Sequence, residues 1–348
     1  MGSLPPRSRR DRRAPLGALR RRPAALLASL VLAAVVICCL LAPLYAKYIA
    51  HTGPDANHIT ETVKIGGRTV DVVSPTGVPI GPTWQGRFLL GADENGRDVA
   101  VRLLYGGRNS LQIAATATLV TMLAATIVAL LSGWVRGALD ALLSRLMELL
   151  WSYPVLLLGV ALGVTLAVGG INLGVITLRS GSLLLPSLII GVVYVPYVAR
   201  PLRAQVIQLA GREFVDAARQ QGLSGARILL SEILPNLSSS IIAFLPLIFA
   251  NSILLEAGLS FLGAGVQPPA PSWGTMIAEG TRLMPAGIHL VLIPGLMLLA
   301  TVISANVLSD SLRDMLDPRS PTIRLRPRAG GLNWIESSSV ELVEREGA

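Results

Sequence analysis

Residues 214–236 read FVDAARQQGLSGARILLSEILPN, a partly polar stretch between two uncharged runs, 180–199 and 233–255. Each run is long enough to cross a bilayer, whose hydrocarbon core of about 30 Å needs about 20 residues at 1.5 Å each. A polar segment tied at both ends to membrane spans lies at the membrane surface. The stretch therefore decides how the chain is divided, and the remaining segments can be placed around it.

Apolar residues within this stretch recur at helical spacing, at Ala226, Leu229, Leu230 and Ile233. Such spacing puts them on one face of a helix. Gly222 interrupts the preceding helix, and Pro235 is expected to bound the following one. The pattern predicts two short helices joined by a bend, and an ordinary solvated loop helix is the alternative.

The composition indicates a membrane protein. The chain of 348 residues is 52% hydrophobic and 15% charged, whereas soluble domains average about 45–50% and about 25%. The net charge of +9 comes from Arg residues at the ends of apolar runs and in the tails, so we expect no nucleic-acid partner. Cys38 and Cys39 are adjacent and cannot staple distant segments.

Six uncharged runs predict six transmembrane helices in an all-α integral membrane protein. The runs are residues 24–46, 109–135, 149–178, 180–199, 233–255 and 283–309. Residues 47–108 form a polar extramembrane loop. Residues 257–278 are apolar but broken by three prolines, so we predict a re-entrant or capping loop, because lipid cannot satisfy an irregular backbone.

The Arg distribution predicts the orientation. Eight Arg precede the first run and six follow the last, and cytoplasmic segments carry the excess of positive charge. Both termini, 1–23 and 318–348, and the segment 212–236 are therefore expected in the cytoplasm, the tail as a disordered extension. The first run is longer than a signal-peptide core, which favours a retained helix over a cleaved signal.

The stretch resembles the EAA loop of binding-protein-dependent ABC importer permeases, a pattern of acidic-Ala-Ala, then Gly, then Ile-Leu-Pro. Asp stands here where Glu is commoner. The matching residues are Asp216, Ala217, Ala218, Gly222, Ile233, Leu234 and Pro235. Further segments resemble oligopeptide and dipeptide importer permeases of the DppC/OppC type, at residues 19–43, 90–111, 256–274 and 308–319.

This resemblance implies a type I ABC importer permease fold, with 109–317 as the core and 212–236 as a coupling loop. In that family the loop docks on an ATPase subunit. Mapped here, Gly222 gives the bend, Ala226, Leu229 and Leu230 the contact, and Asp216 and Arg219 polar contacts at the rim. The implied partners are a homologous permease, two ATP-binding subunits, an extracytoplasmic substrate-binding protein and the lipid bilayer.

The implied cargo is a di- or oligopeptide, with nickel chelates, glutathione or haem as alternatives. An ion-coupled secondary transporter and an intramembrane enzyme are competing classes. The uncharged spans lack the repeated halves and mid-membrane ionisable groups of the former and the paired catalytic groups of the latter.

We expect no catalytic site, cofactor or metal in the chain itself. A phosphate loop needs Gly-Lys-Ser/Thr, and neither Lys47 nor Lys64 follows Gly. ATP hydrolysis must then come from another polypeptide. The three histidines, His51, His58 and His289, are scattered without metal-ligand spacing.

Two sets of charged residues have alternative interpretations. Asp93, Arg97 and Asp98 are expected to face outward, either as a loop-stabilising ion pair or as a contact for the binding protein. Glu256 is expected at the outer end of the fifth span, as a functional group, an interfacial side chain or a structural hydrogen-bond partner.

Overall fold

The computed structural model describes residues 23–169, 171–172, 177–178, 181–285 and 287–316. The predicted tail 318–348 and nearly all of the basic segment 1–23 lie outside the described residues. The described part is mainly helical, with two antiparallel hairpins, and matches the predicted fold class.

Twelve α-helices and two π-helical segments follow one another in the described residues. The helices are α1 Pro23–Leu40, α2 Ala42–Tyr45, α3 Val99–Trp134, α4 Ala138–Trp151, α5 Val155–Gly169, α6 Leu184–Val193, α7 Val195–Ala210, α8 Glu213–Gln220, α9 Gly225–Ile228, α10 Leu234–Phe261, α11 Trp273–Arg282 and α12 His289–Leu316. The π-helical segments are Ala46–Ala50 and Leu229–Ile233.

The hairpins are short and lie outside the helices. Strand β1 (Thr62–Ile65) pairs with β2 (Arg68–Asp71) in the register Thr62 to Asp71. Strand β3 (Ile171–Asn172) pairs with β4 (Thr177–Leu178).

Helix α3 is the centre of the bundle. It packs against α6, α7 and α10, while α12 packs against α1, α10 and α11. Small residues on α3, Ala114, Ala117, Ala125 and Ala129, are fully buried, and small side chains let helix backbones approach closely. Outward-facing leucines and isoleucines on α1, α3 and α12 remain exposed, as expected for surfaces that meet lipid.

Four helical stretches are each long and apolar enough to cross a membrane: Pro23–Leu40, Val99–Trp134, Gly225–Phe261 and His289–Leu316. Two further pairs of helices meet this test together but are bent, Ala138–Trp151 with Val155–Leu166 by 91° and Leu184–Val193 with Val195–Ala210 by 43°. Counting each bent pair as one span gives the six that the sequence predicts.

The second and third spans begin earlier than the uncharged runs suggest. Helix α3 begins at Val99, inside the predicted loop 47–108, and α4 begins at Ala138 rather than near 149. Counting uncharged residues missed these starts because Arg102, Asp140 and Arg145 are helical. The third run is also not straight, since the chain bends at residues 152–154, where Pro154 disfavours helical geometry in the residue before it.

The predicted re-entrant segment 257–278 is divided between three elements. Helix α10 continues through Ala257 to Phe261, a loop follows, and α11 begins at Trp273. Ser272 caps α11 in a capping box with Thr275, which satisfies the free amides at the helix start. The segment does not add a seventh span.

Asp98 fixes the start of α3. Its carboxylate accepts hydrogen bonds from the amides of Ala100 at 2.9 Å and Val101 at 3.1 Å, and from the Phe88 amide at 2.6 Å. The side chain is fully buried, and burial raises its pKa while these three hydrogen bonds lower it. Asp98 thus joins the extramembrane loop to the first turn of α3.

Asp98→Ala should lower stability by about 2–4 kcal/mol, because it removes a helix cap and leaves the buried Phe88 amide without its acceptor. Thermal unfolding in detergent is the measurement. Asp71→Ala, at an exposed strand position, is the matched control and should leave the midpoint unchanged. Equal midpoints for the two variants would contradict the capping role.

Candidate functional site

The coupling loop, residues 212–236, contains a sharp turn between α8 and α9. Gly222 has φ of 78°, a left-handed conformation that favours glycine. Its amide donates to the Arg219 carbonyl at 2.9 Å, and the Leu223 amide donates to the Ala218 carbonyl at 3.2 Å. These two bonds form a Schellman motif, which ends α8 and sets the direction of the chain toward α9.

The second helix of the loop is not short, and Pro235 does not bound it. Helical structure is continuous over Gly225–Phe261, through the π-helical segment Leu229–Ile233 into α10. Pro235 lies in the first turn of α10, where its missing amide and fixed φ are tolerated, directly after a turn that is already widened. The loop is therefore a direct extension of a membrane span.

One side of the loop is packed onto the bundle. Five apolar side chains from α8 to the start of α10 are buried against Leu130 of α3 and Val206 of α7. These five are Val215, Ala218, Ile228, Ile233 and Leu237. Such a cluster fixes the loop against the ends of the spans.

The predicted contact residues divide between this buried side and the surface. Ala226 and Leu230 are exposed, Leu230 at 64%, and Leu229 and Leu234 are half-buried. Asp216, Ala217, Arg219, Gly222 and Pro235 are also exposed, while Ala218 and Ile233 are buried inside the chain. The helical spacing identified an apolar face, but part of that face packs internally. The contact of these predicted residues with an ATPase stays a prediction.

Trp134, the last residue of α3, lies beside the coupling loop. The Arg219 guanidinium lies 5.1 Å from the centroid of its ring and pairs with Asp216 at 3.1 Å. A Cβ atom built on Gly225 would lie 3.1 Å from the indole Nε1, so the ring and the start of α9 are in close contact. The motif in the sequence does not include this residue, although an aromatic residue at a span end is a usable signal.

The opposite end of α3 carries a buried ion network. Arg97 pairs with Asp93 at 2.6 Å and Glu279 at 2.9 Å, and Arg102 pairs with Glu279 at 3.0 Å and Asp93 at 3.3 Å. The two cations are paired with two anions inside the chain, as burial requires, and the more exposed Asp55 lies 3.9 Å from Arg102. Glu279 lies on α11, so the network joins that helix to α3 and to the extramembrane loop.

Asp93, Arg97 and Asp98 are buried within the chain. Their exposed fractions are 7%, 6% and 0%, since each is held by partners within the chain. The loop-stabilising alternative fits this geometry, and a binding-protein contact through these residues stays a prediction. Arg102 and Glu279 complete the network, and no local sequence signal pairs residues so far apart in the chain.

The extramembrane loop has a second charged cluster nearer its middle. Glu61 lies 2.7 Å from His58 Nδ1 and 2.7 Å from Arg87 Nη2. The hydrogen bond with His58, followed by the charge of Arg87, holds the pKa of Glu61 below its usual value. This cluster joins the two segments of the loop that lie on either side of the β1–β2 hairpin.

Glu256 is fully buried in α10, and it accepts a hydrogen bond from Ser260 at 2.7 Å. Interfacial snorkelling is therefore excluded, and a structural hydrogen bond is what the geometry shows.

No group of three His, Cys, Asp or Glu side chains among the described residues is arranged to hold a metal.

Comparison with known proteins identifies the family. Residues 110–320 match the model of the binding-protein-dependent transport system inner membrane component. The chain belongs to this family. The matched region contains most of α3, the coupling loop and α10 to α12.

Three permease proteins are similar to this chain over most of their own length. The di/tripeptide transport system permease protein DppC of Pseudomonas aeruginosa is 36% identical, over 68% of this chain and 76% of that protein. The oligopeptide permease OppC of Haemophilus influenzae is 33% identical, over 68% and 72%. The glutathione transport system permease GsiD of Pectobacterium atrosepticum is 34% identical, over 66% and 72%.

A solved structure supports the fold. An inward-facing form of the MetNI methionine ABC transporter matches with a TM-score of 0.50 and 16% identity, covering 62% of this chain and 96% of that chain. At this identity the match bears on the fold, and it agrees with the type I permease architecture that the sequence predicts.

Arg102→Ala should lower stability by about 3 kcal/mol, because it leaves Asp93 and Glu279 short of a cation in a buried site. Thermal unfolding in detergent measures the loss, and Arg68→Ala, on an exposed strand, is the matched control. Arg102 and Glu279 belong to one network. The double variant Arg102→Ala with Glu279→Ala should therefore lose less stability than the sum of the losses in the two single variants. Strict additivity would contradict the network.

Proposed function

We propose that the chain is one permease subunit of an ATP-driven importer that moves short peptides across the cytoplasmic membrane. The coupling loop is the observation that carries this proposal. It is a rigid, partly buried segment continuous with a membrane span, and it presents Ala226 and Leu230 on its exposed side. The names of similar proteins, for di/tripeptides, oligopeptides and glutathione, support a peptide cargo.

The orientation follows from charge. Four arginines lie at the Trp134 end of α3 or in the coupling loop and its flanks, namely Arg136, Arg200, Arg212 and Arg227. Positive residues favour the cytoplasmic side of a membrane. The coupling loop and both termini are then cytoplasmic, and residues 47–98 are extracytoplasmic. This orientation puts the loop where ATP is available.

The energy source is a separate polypeptide. The sequence has no Gly-Lys-Ser/Thr phosphate loop, and the coupling loop offers an exposed apolar edge beside charged residues. Two ATP-binding subunits, a homologous permease and an extracytoplasmic binding protein complete the assembly. Asp216 and Arg219 pair with each other, so the direct contact falls mainly to Ala226 and Leu230.

Reconstitution tests the proposal. The chain, its partner permease, the ATP-binding subunits and the binding protein are placed in liposomes with a radiolabelled dipeptide. Uptake should require ATP and the binding protein, and it should persist when an ionophore collapses the ion gradients. Uptake that ignores ATP and stops with the ionophore would show a secondary transporter instead.

Leu230→Asp should abolish co-purification of the ATP-binding subunits, because it puts a charge in an apolar contact. Leu230 is 64% exposed, so the folded chain should tolerate the change, and its thermal midpoint should stay at the wild-type value. Ile59→Asp, at a 47% exposed position in the extramembrane loop, is the matched control and should retain the subunits. Full retention by Leu230→Asp would remove this residue from the docking surface.

A further inference from the structure

We infer that Trp134 is a positioning residue that fixes both helices of the coupling loop to the end of α3, so that movement of the loop is transmitted to that span. The inference rests on the proposed function and deepens it. It concerns how the loop is connected to the membrane bundle, whereas docking concerns its opposite, exposed side.

A single side chain bridges the loop's turn. The Trp134 ring lies 5.1 Å from the guanidinium of Arg219 on α8, and its Nε1 would be 3.1 Å from a Cβ on Gly225, where α9 begins. Gly222 lies between these two contacts and marks the bend. The indole therefore holds the two arms of the bend at the same time.

The tip of the turn has one further contact, since Leu223 packs on the buried cluster of the loop. A Cβ placed on Gly222 would meet no atom of the described residues within 4 Å, and Gln221 and Ser224 are exposed. The buried cluster around Val215 and Ile228 forms an apolar floor that holds the loop against α3 and α7, and the hydrophobic effect behind this packing is non-directional. The planar Trp134 ring contacts both Arg219 and Gly225, and it therefore fixes how α8 and α9 are oriented on this apolar cluster.

Charge strengthens the contact with α8. Arg219 is held in place by its ion pair with Asp216 at 3.1 Å, one helical turn earlier. A guanidinium over the face of an indole is attracted by the negative potential of the ring. Asp216 and Arg219, both about half exposed, therefore form a clamp on Trp134, and their predicted rim contact with an ATPase stays a prediction.

The position of Trp134 gives this clamp a mechanical consequence. It is the last residue of α3, an uninterrupted helix that packs against α6, α7 and α10. A force on the loop reaches this helix through the ring as well as through Leu130, the α3 residue of the buried cluster. Without the ring, α8 and α9 can tilt against α3, and part of the loop's movement is lost before it reaches the spans.

The chain offers a matched control. Trp151 stacks on Tyr197 at 5.9 Å and lies 5.7 Å from the Arg200 guanidinium. It is the same type of aromatic–arginine contact, with both partners on α7. Trp151→Ala therefore removes an equivalent ring without touching the clamp.

The first experiment needs no transport activity. Hydrogen–deuterium exchange of the purified full-length chain is compared for the wild type, Trp134→Ala, Trp134→Phe and Trp151→Ala. Trp134→Ala should speed exchange across residues 213–228 and leave α11 unchanged, and Trp134→Phe should restore protection. Unchanged exchange in 213–228 overturns the inference, as does faster exchange throughout the chain that Trp134→Phe does not correct.

The second experiment measures coupling in the reconstituted complex, as peptide transported per ATP hydrolysed. Trp134→Ala should reduce this ratio by about tenfold while the ATP-binding subunits still co-purify and basal hydrolysis continues. Trp134→Phe should recover most of the ratio, and Trp151→Ala should match the wild type. A wild-type ratio in Trp134→Ala overturns the inference, whereas absence of ATP-dependent uptake in the wild type overturns the proposed function.

Discussion

Helix α3 is the element on which the other parts of the structure depend, and the membrane sets its properties. A backbone in hydrocarbon must satisfy its hydrogen bonds internally, so an unbroken helix is the simplest way across. With 36 residues, α3 is about 54 Å long, well beyond the roughly 30 Å of the hydrocarbon core. The helix is therefore longer than the hydrocarbon core, and its two ends carry polar contacts.

Different chemistry holds each of these ends. At Val99, Asp98 caps the helix and a balanced ion network joins it to Glu279 on α11. At Trp134, an aromatic ring contacts both arms of the coupling loop. Between them, small buried residues let α6, α7 and α10 pack closely. One uninterrupted helix thus connects the ion network at one end to the coupling loop at the other.

The sequence predicted what depends on local composition. Uncharged runs of sufficient length identified the spans, and Gly222 identified the bend, because only a few residue types tolerate that backbone conformation. It did not predict features that depend on distant partners. Arg102 lies in the first turns of α3, where Glu279 on α11 pairs with it, and the clamp on Trp134 joins residues from three helices. The predicted helix boundary at Pro235 is wrong because the π-helical turn before it allows the helix to continue.

The central claim is that the coupling loop and α3 move as one body. Spin labels on Ala217→Cys and Leu131→Cys, in a chain with Cys38 and Cys39 replaced by alanine, report the distance between them by pulsed electron paramagnetic resonance. Both label sites are exposed. The distance distribution should be the same in the resting complex and in the complex trapped with nucleotide and vanadate. A shift or broadening on trapping would show that the loop moves independently of α3 and would contradict the claim.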